Sequence, residues 1–124
     1  MLTITLANNK QYEVLPDTVV YPALNAASRG RMEIHMSEDT MTMEDLEKIF
    51  SDEALTAEIV LERDDELGAF RTLYKNFIVV SSLGKKRITK TDYTTAQTTE
   101  EVHLVVELEQ LTYLEQQLAA LQSK

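Results

Sequence analysis

The sequence predicts an α+β domain with a mostly antiparallel sheet of about five to seven strands, one short central helix and a C-terminal amphipathic helix. Apolar and polar residues alternate over several short segments, which is the period of a half-buried strand. Residues 43–50 repeat instead at helical spacing, and the period becomes helical again near residue 108. A length of 124 residues fits one such domain, and the absence of cysteine rules out disulfides and thiolate metal sites.

The first third of the chain predicts three strands. Leu2 to Leu6 and Gln11 to Val14 alternate on either side of Asn8-Asn9-Lys10, whose residues tolerate left-handed turn geometry, so we expect a hairpin. Residues 16–30 contain two prolines and end at a glycine. Val19-Val20-Tyr21 is compatible with a short strand, but the segment is predicted as a loop with at most one helical turn. Arg31 to Ser37 predicts a third strand, whose buried face carries Met32, Ile34 and Met36.

A short helix and four more strands follow. Thr42 fits the N-cap position of a helix in which Met43, Leu46, Ile49 and Phe50 share one face. The remaining predicted elements are a strand at 57–62, a long strand at 70–80, a turn at 81–86, a strand at 87–93, an exposed loop at 94–99 and a last strand at 102–107. The run Phe77-Ile78-Val79-Val80 is apolar on both faces, which favours either a central position in the sheet or cover on both sides.

The C-terminal segment divides the chain into a sheet domain at 1–107 and an amphipathic helix at 108–124. Its leucines recur at helical spacing and form one continuous stripe: Leu108, Leu111, Leu114, Leu118 and Leu121. Two interpretations remain open, a helix packed on its own sheet or a helix used for self-association. Two heptads make a weak coiled coil alone, so self-association would also need the folded domain.

Charge is distributed unevenly along the chain, whose net charge is −9. Residues 38–66 carry twelve acids against two bases, a balance of −10, whereas residues 67–99 carry six bases against one acid, a balance of +5. The acidic segment opposes nucleic-acid binding, which needs clustered lysine and arginine. The basic cluster of Lys85, Lys86 and Arg87, with Lys90 nearby, is interpreted as a solvated turn or a protein-docking surface.

No catalytic, cofactor or metal site is predicted. His35 and His103 lie on the polar sides of two predicted strands, where we expect them to be solvated; they meet only if those strands pair. Two histidines and a carboxylate can hold zinc, but the local spacing of a zinc-binding helix is absent. Three glycines leave no phosphate-binding motif. The chain has no apolar stretch long enough to cross a bilayer and no basic leader, so no membrane partner is expected.

The order of elements resembles a family. Leu2-Thr3-Ile4-Thr5-Leu6 with Gln11-Tyr12-Glu13-Val14, then Met32-Glu33-Ile34, then the run from Met43 to Ser51 and the helical ending, resemble small tail or baseplate-associated proteins of phages and prophages of Gram-positive bacteria. The resemblance covers most of the chain in outline and includes no functional residues. It implies a structural protein located in the host cytoplasm or on the virion.

We therefore expect a non-enzymatic assembly protein that binds itself and other proteins. The leucine stripe and the basic cluster are its candidate contact surfaces. The alternative is a small acidic inhibitor, or DNA mimic, whose carboxylates imitate phosphates and occupy a basic nucleic-acid-binding protein. A mimic should bind its partner in a salt-sensitive way, whereas apolar assembly should depend little on salt.

Overall fold

The alternating segments form two sheets rather than one. The computed structural model describes residues 1–66 and 68–122, within which eight strands and three helices are present. The strands are β1 (Leu2–Thr5), β2 (Gln11–Val14), β3 (Val19–Tyr21), β4 (Arg31–Ser37), β5 (Glu58–Asp65), β6 (Gly68–Lys75), β7 (Val79–Asp92) and β8 (Gln97–Glu109). The helices are α1 (Met43–Phe50), α2 (Glu53–Thr56) and α3 (Tyr113–Gln122). The α+β class is confirmed, and the predicted single sheet with one central helix is corrected.

The strands are ordered β2-β1-β5-β6 in one sheet and β3-β4-β8-β7 in the other, with antiparallel neighbours throughout. The predicted first hairpin is confirmed, with Leu2 opposite Val14 and Thr5 opposite Gln11. Asn9 takes a φ of 66° in its turn, a conformation that asparagine tolerates better than most residues. Local alternation thus identifies most strands, while their division between two sheets depends on where the chain crosses over.

The crossover lies inside the segment predicted as one long strand at 70–80. Asn76 has a φ of 68°, so the backbone turns there, and β6 and β7 join different sheets. Phe77 is buried in the core between them. The apolar run beginning at Phe77 therefore lies where the chain crosses from one sheet to the other. Its predicted central position is wrong, because β7 is an edge strand. The predicted turn at 81–86 is also wrong, because those residues lie within β7, which has a register shift between Val80 and Ser82.

Two predicted loops are shorter than expected. Val19–Tyr21, inside the predicted loop at 16–30, forms β3 by pairing with Arg31 to Glu33 of β4. Three residues are too few to show a period, so only pairing with β4 defines this strand. The predicted loop at 94–99 shrinks because β8 already begins at Gln97, and Ala96 closes the turn with a φ of 57°.

The predicted central helix is confirmed over residues 43–50. The backbone N–H of Asp45 donates to Thr42 Oγ1 at 3.1 Å, and α1 ends at the C-cap Ser51. Leu46 and Phe50 are fully buried. An additional short helix, α2, follows directly because Asp52 caps it through Oδ1, which accepts from the N–H of Ala54 at 3.0 Å.

The two sheets and α1 share one hydrophobic core. As predicted, Met32, Ile34 and Met36 are buried there from β4. The other sheet contributes Ile4, Val14, Ile59 and Leu61, and strand β8 contributes Leu104, Val106 and Leu108. Among the described residues, no helix combines the length and apolar character required to span a membrane.

Candidate interaction surfaces and a buried histidine pair

The C-terminal helix begins at Tyr113 rather than at Leu108. Leu108 continues β8, where it lies opposite Met32 and Val80. Thr112 and Glu115 then start α3 with a reciprocal pair of hydrogen bonds: the N–H of Thr112 donates to Glu115 Oε1 at 3.0 Å, and the N–H of Glu115 donates to Thr112 Oγ1 at 3.1 Å. Residues 123–124, the end of the predicted helix, lie outside the described residues.

The predicted leucine stripe is divided by this boundary. Leu108 is fully buried in the core and Leu111 is half-buried before the helix, so neither continues an exposed stripe. Leu114, Leu118 and Leu121 lie on α3 and are 63%, 57% and 66% exposed. No residue that the structure describes in α3 is buried. Three of the five leucines of the predicted stripe are therefore exposed on α3.

Helix α3 is tethered to the loop after β3 by one ion pair. Arg29 Nη2 donates to Glu115 Oε2 at 2.8 Å. The N–H of Thr112, with a smaller contribution from Arg29, lowers the pKa of Glu115. Beside this tether lies a cleft of about 450 Å³ whose lining includes Tyr21 and Leu24. Arg29 itself lines this cleft, so the ion pair joins α3 to the edge of a partly apolar surface.

A two-stranded arm extends from the second sheet. Strand β4 pairs with β8 as far as the Ser37–His103 position, and within the described residues β8 beyond that point pairs with β7 alone. We call residues 87–102 the arm. Its tip residue Tyr93 is 95% exposed. Isolated two-stranded ribbons are marginally stable in water, so an arm of this kind gains stability when another surface covers it.

The predicted basic cluster lies in the middle of β7 and not in a turn. Lys86 Nζ pairs with Glu107 at 3.3 Å, and Arg87 Nε lies 3.7 Å from Glu100. Lys85 is exposed and lies opposite Leu104. Two of the three cations thus have acidic partners on β8, in exposed ion pairs that contribute little to stability.

His35 and His103 are buried, so the expectation that they are solvated is wrong. Their relative exposures are 5% and 1%. Strands β4 and β8 pair in a register that sets His35 opposite Val105 and His103 opposite Ser37, which makes the histidines diagonal neighbours. Their Nδ1 atoms are 2.9 Å apart, and the rings meet edge to face with centroids separated by 5.2 Å.

Each histidine also binds a carboxylate through its other nitrogen. His35 Nε2 is 2.7 Å from Glu33 Oε1, and His103 Nε2 is 2.9 Å from Glu101 Oε2. A carboxylate accepts hydrogen bonds, so each Nε2 carries a proton in this arrangement. The two Nδ1 atoms then face each other at a hydrogen-bond distance of 2.9 Å, so they are joined either by a proton that one ring donates to the other or by a metal ion that both rings bind.

The β2–β3 loop and the arm meet beside this pair. The N–H of His35 donates to Thr18 Oγ1 at 3.0 Å, which fixes the loop next to β4. Asp17 of this loop accepts from Lys90 Nζ at 3.3 Å, and Lys90 is also 3.4 Å from Glu101. The hydrogen bond to Asp17 raises the pKa of Lys90, while hydrogen bonds from His103 and Lys90 lower the pKa of Glu101. One ligand atom from each of Asp17, His35 and His103 lies within 4.8 Å of the others.

The local pattern of the sequence does not predict this cluster, for a geometric reason. Asp17, His35 and His103 belong to three separate segments, and no local spacing links them. The repeated Glu-x-His pattern, Glu33 with His35 and Glu101 with His103, was the available signal. On a strand this spacing places each glutamate beside its histidine on one face.

Comparison with known proteins identifies no relative. No protein-family model matches the sequence, and neither a curated protein nor a solved structure matches it.

Proposed function

We propose that this chain is a non-enzymatic assembly protein that binds a second copy of itself, and other proteins, through α3 and the arm. One observation carries the proposal. Leu114, Leu118 and Leu121 are each more than half exposed on a helix whose described residues include none that is buried. A ten-residue helix is too short to be stable in water by propensity alone and normally depends on packing. A partner that covers these leucines would supply that packing.

The arm supports the same proposal. Strand β7 is an edge of its sheet, and its fourteen residues present backbone donors and acceptors along that edge. The exposed Tyr93 at the tip is the residue type that is enriched at protein interfaces. The arm and α3 give the chain two separate exposed surfaces. A subunit that contacts more than one neighbour needs two such surfaces.

The biological context we propose follows the resemblance of the sequence to phage and prophage proteins. The chain would be a tail-associated or baseplate-associated component, synthesised in the host cytoplasm and incorporated into a particle. Such a protein needs surfaces and no catalytic centre.

Light scattering on the full chain tests the proposal. We expect a mass above that of the 14.1 kDa monomer, with dissociation on dilution. Leu118→Glu places a charge in the centre of the exposed leucines and should give the monomer, since burying an unpaired charge is costly. The matched control is Leu73→Glu, because Leu73 is a half-exposed leucine on β6 of the other sheet. Its mass should equal that of the unchanged chain.

Two results would contradict the proposal. One is a monomer at every concentration of the unchanged chain, and the other is an oligomer that Leu118→Glu leaves intact. Salt separates assembly from the alternative of an acidic inhibitor. Raising salt from about 0.1 to 1 M shortens the Debye length from about 10 to about 3 Å. An apolar interface should keep its affinity under this change, whereas a complex formed by the acidic residues 38–66 with a basic protein should dissociate.

A further inference from the structure

We propose that Asp17, His35 and His103 form a binding site for one Zn²⁺ ion, held between the two Nδ1 atoms and the Asp17 carboxylate. This inference does not depend on the proposed assembly function. It revises the expectation from sequence that the chain has no metal site. The three ligands come from the β2–β3 loop, β4 and β8, and both histidines are more than nine-tenths buried.

The histidine geometry fits a bound ion. Zinc–nitrogen bonds of 2.0–2.1 Å in a tetrahedral site place two ligand nitrogens roughly 3.3 Å apart. The Nδ1 atoms are 2.9 Å apart, so they need to separate by only a few tenths of an ångström. The imidazole rings meet edge to face, and binding an ion at the tetrahedral angle requires each ring to rotate until its Nδ1 lone pair points at the ion.

The surroundings of both rings match those of metal-binding histidines. Such a histidine usually donates its second N–H to a carboxylate, which fixes the tautomer and increases the basicity of the nitrogen that binds the metal. Here Glu33 occupies this position for His35, and Glu101 occupies it for His103, at 2.7 and 2.9 Å.

Asp17 completes the ligand set from the solvent side. Its side chain is 27% exposed and pairs with Lys90, an exposed residue of the arm. The ammonium group of Lys90 therefore supplies the positive charge beside Asp17, and it competes with a metal ion for this carboxylate. Two imidazoles and one carboxylate suit Zn²⁺, and three protein ligands leave a fourth position for water.

Zinc titration of the metal-stripped full chain, against a chromophoric chelator, tests the site. We expect one Zn²⁺ per chain. His103→Gln and Asp17→Asn should each remove binding at this stoichiometry. The matched control is Asp64→Asn, which changes an exposed acid on β5 of the other sheet and should bind zinc like the unchanged chain. Lys90→Gln should bind more tightly, because the competing ammonium is gone.

Glu33→Gln and Glu101→Gln provide variants that keep all three ligands. Each should weaken zinc binding by about 10- to 100-fold, the usual effect of removing a carboxylate behind a metal-binding histidine. Circular dichroism before titration shows which variants are folded, and only folded ones are compared. Imidazole ¹⁵N NMR on the unchanged chain identifies the nitrogen that binds the metal, and Nδ1 should shift on both rings.

Two results would contradict the proposed zinc site. If excess Zn²⁺ leaves both Nδ1 resonances unchanged, a hydrogen bond joins the two rings and the proposal is wrong. It is equally wrong if zinc binds the unchanged chain and the folded Asp17→Asn and Asp64→Asn variants with the same affinity, because the ion then lies elsewhere.

Discussion

The Nδ1 atoms of His35 and His103 face each other at 2.9 Å on neighbouring strands, although 68 positions separate the two residues in the chain. The pairing of β4 with β8 creates this contact. It places two polar rings in a nearly solvent-free position, where each nitrogen has a partner. Groups buried in this way stabilise a protein when all partners are present and destabilise it when one is removed.

The histidine pair should show strong energetic coupling. In metal-free buffer at constant pH, His103→Ala leaves His35 Nδ1 without its partner, and an unsatisfied buried polar group costs about 1–3 kcal/mol. The double change His35→Ala with His103→Ala should cost less than the sum of the single changes, by about 0.5–3 kcal/mol. Urea unfolding of the four proteins measures this coupling. Additive single effects would show that the rings do not stabilise each other.

Leucines of the predicted stripe should differ sharply in their effect on stability. Leu108 is fully buried, so Leu108→Ala should lower the free energy of unfolding by about 2–5 kcal/mol. Leu118 is 57% exposed, and Leu118→Ala should change the free energy of unfolding by no more than about 0.5 kcal/mol in dilute solution, where we expect the monomer. Urea unfolding at low concentration provides both values. Similar losses for the two variants would mean that α3 packs on the body.

The pKa of Glu115 should stay lowered when Arg29 is replaced. Its pKa lies below the ordinary 4.5, with the N–H of Thr112 as the largest cause. A carboxyl group with a lowered pKa in the folded state adds stability above its unfolded pKa, and that stability is lost as pH falls through the folded pKa. Acidification below about pH 4.5 should therefore loosen the start of α3.

A ¹³C titration of the Glu115 carboxyl group tests this order of causes. In Arg29→Gln the pKa should remain below 4.5, because the backbone hydrogen bond from Thr112 is retained. Return to the ordinary value in that variant would show that Arg29 is the dominant cause.

The end of the arm should be dispensable for folding. Replacing residues 91–98 by Asn-Gly joins Lys90 to Thr99, which lie opposite each other, through a favoured two-residue hairpin turn. Lys90 and Glu101 remain in place, so contacts beside the histidine pair are retained. Thermal unfolding should shift by only a few degrees, as expected for a change of about 1 kcal/mol or less.

The shortened arm should also lose its contacts with partners. Light scattering compares its assembly with that of Tyr93→Ser, which removes only the aromatic tip. A large loss of thermal stability in the shortened protein would indicate that the tip of the arm belongs to the folded body.

By itself the sequence determined the local structure wherever a periodic pattern covered several residues or a helix-capping residue was present. The alternation in β1, β2, β4 and β5 predicted those strands, and Thr42 with the apolar face of α1 predicted that helix. These features depend on side chains a few residues apart, so the physical preference is contained in the sequence itself.

Only the tertiary structure decided the rest. Strand β3 exists because β4 lies beside it, the segment 70–80 is divided because Asn76 turns the chain between sheets, and Leu108 belongs to β8 because Met32 and Val80 flank it. Likewise, Asp17, His35 and His103 come together only through strand pairing and the position of one loop. Contacts between distant segments depend on register and packing, and the local pattern of a single sequence carries neither.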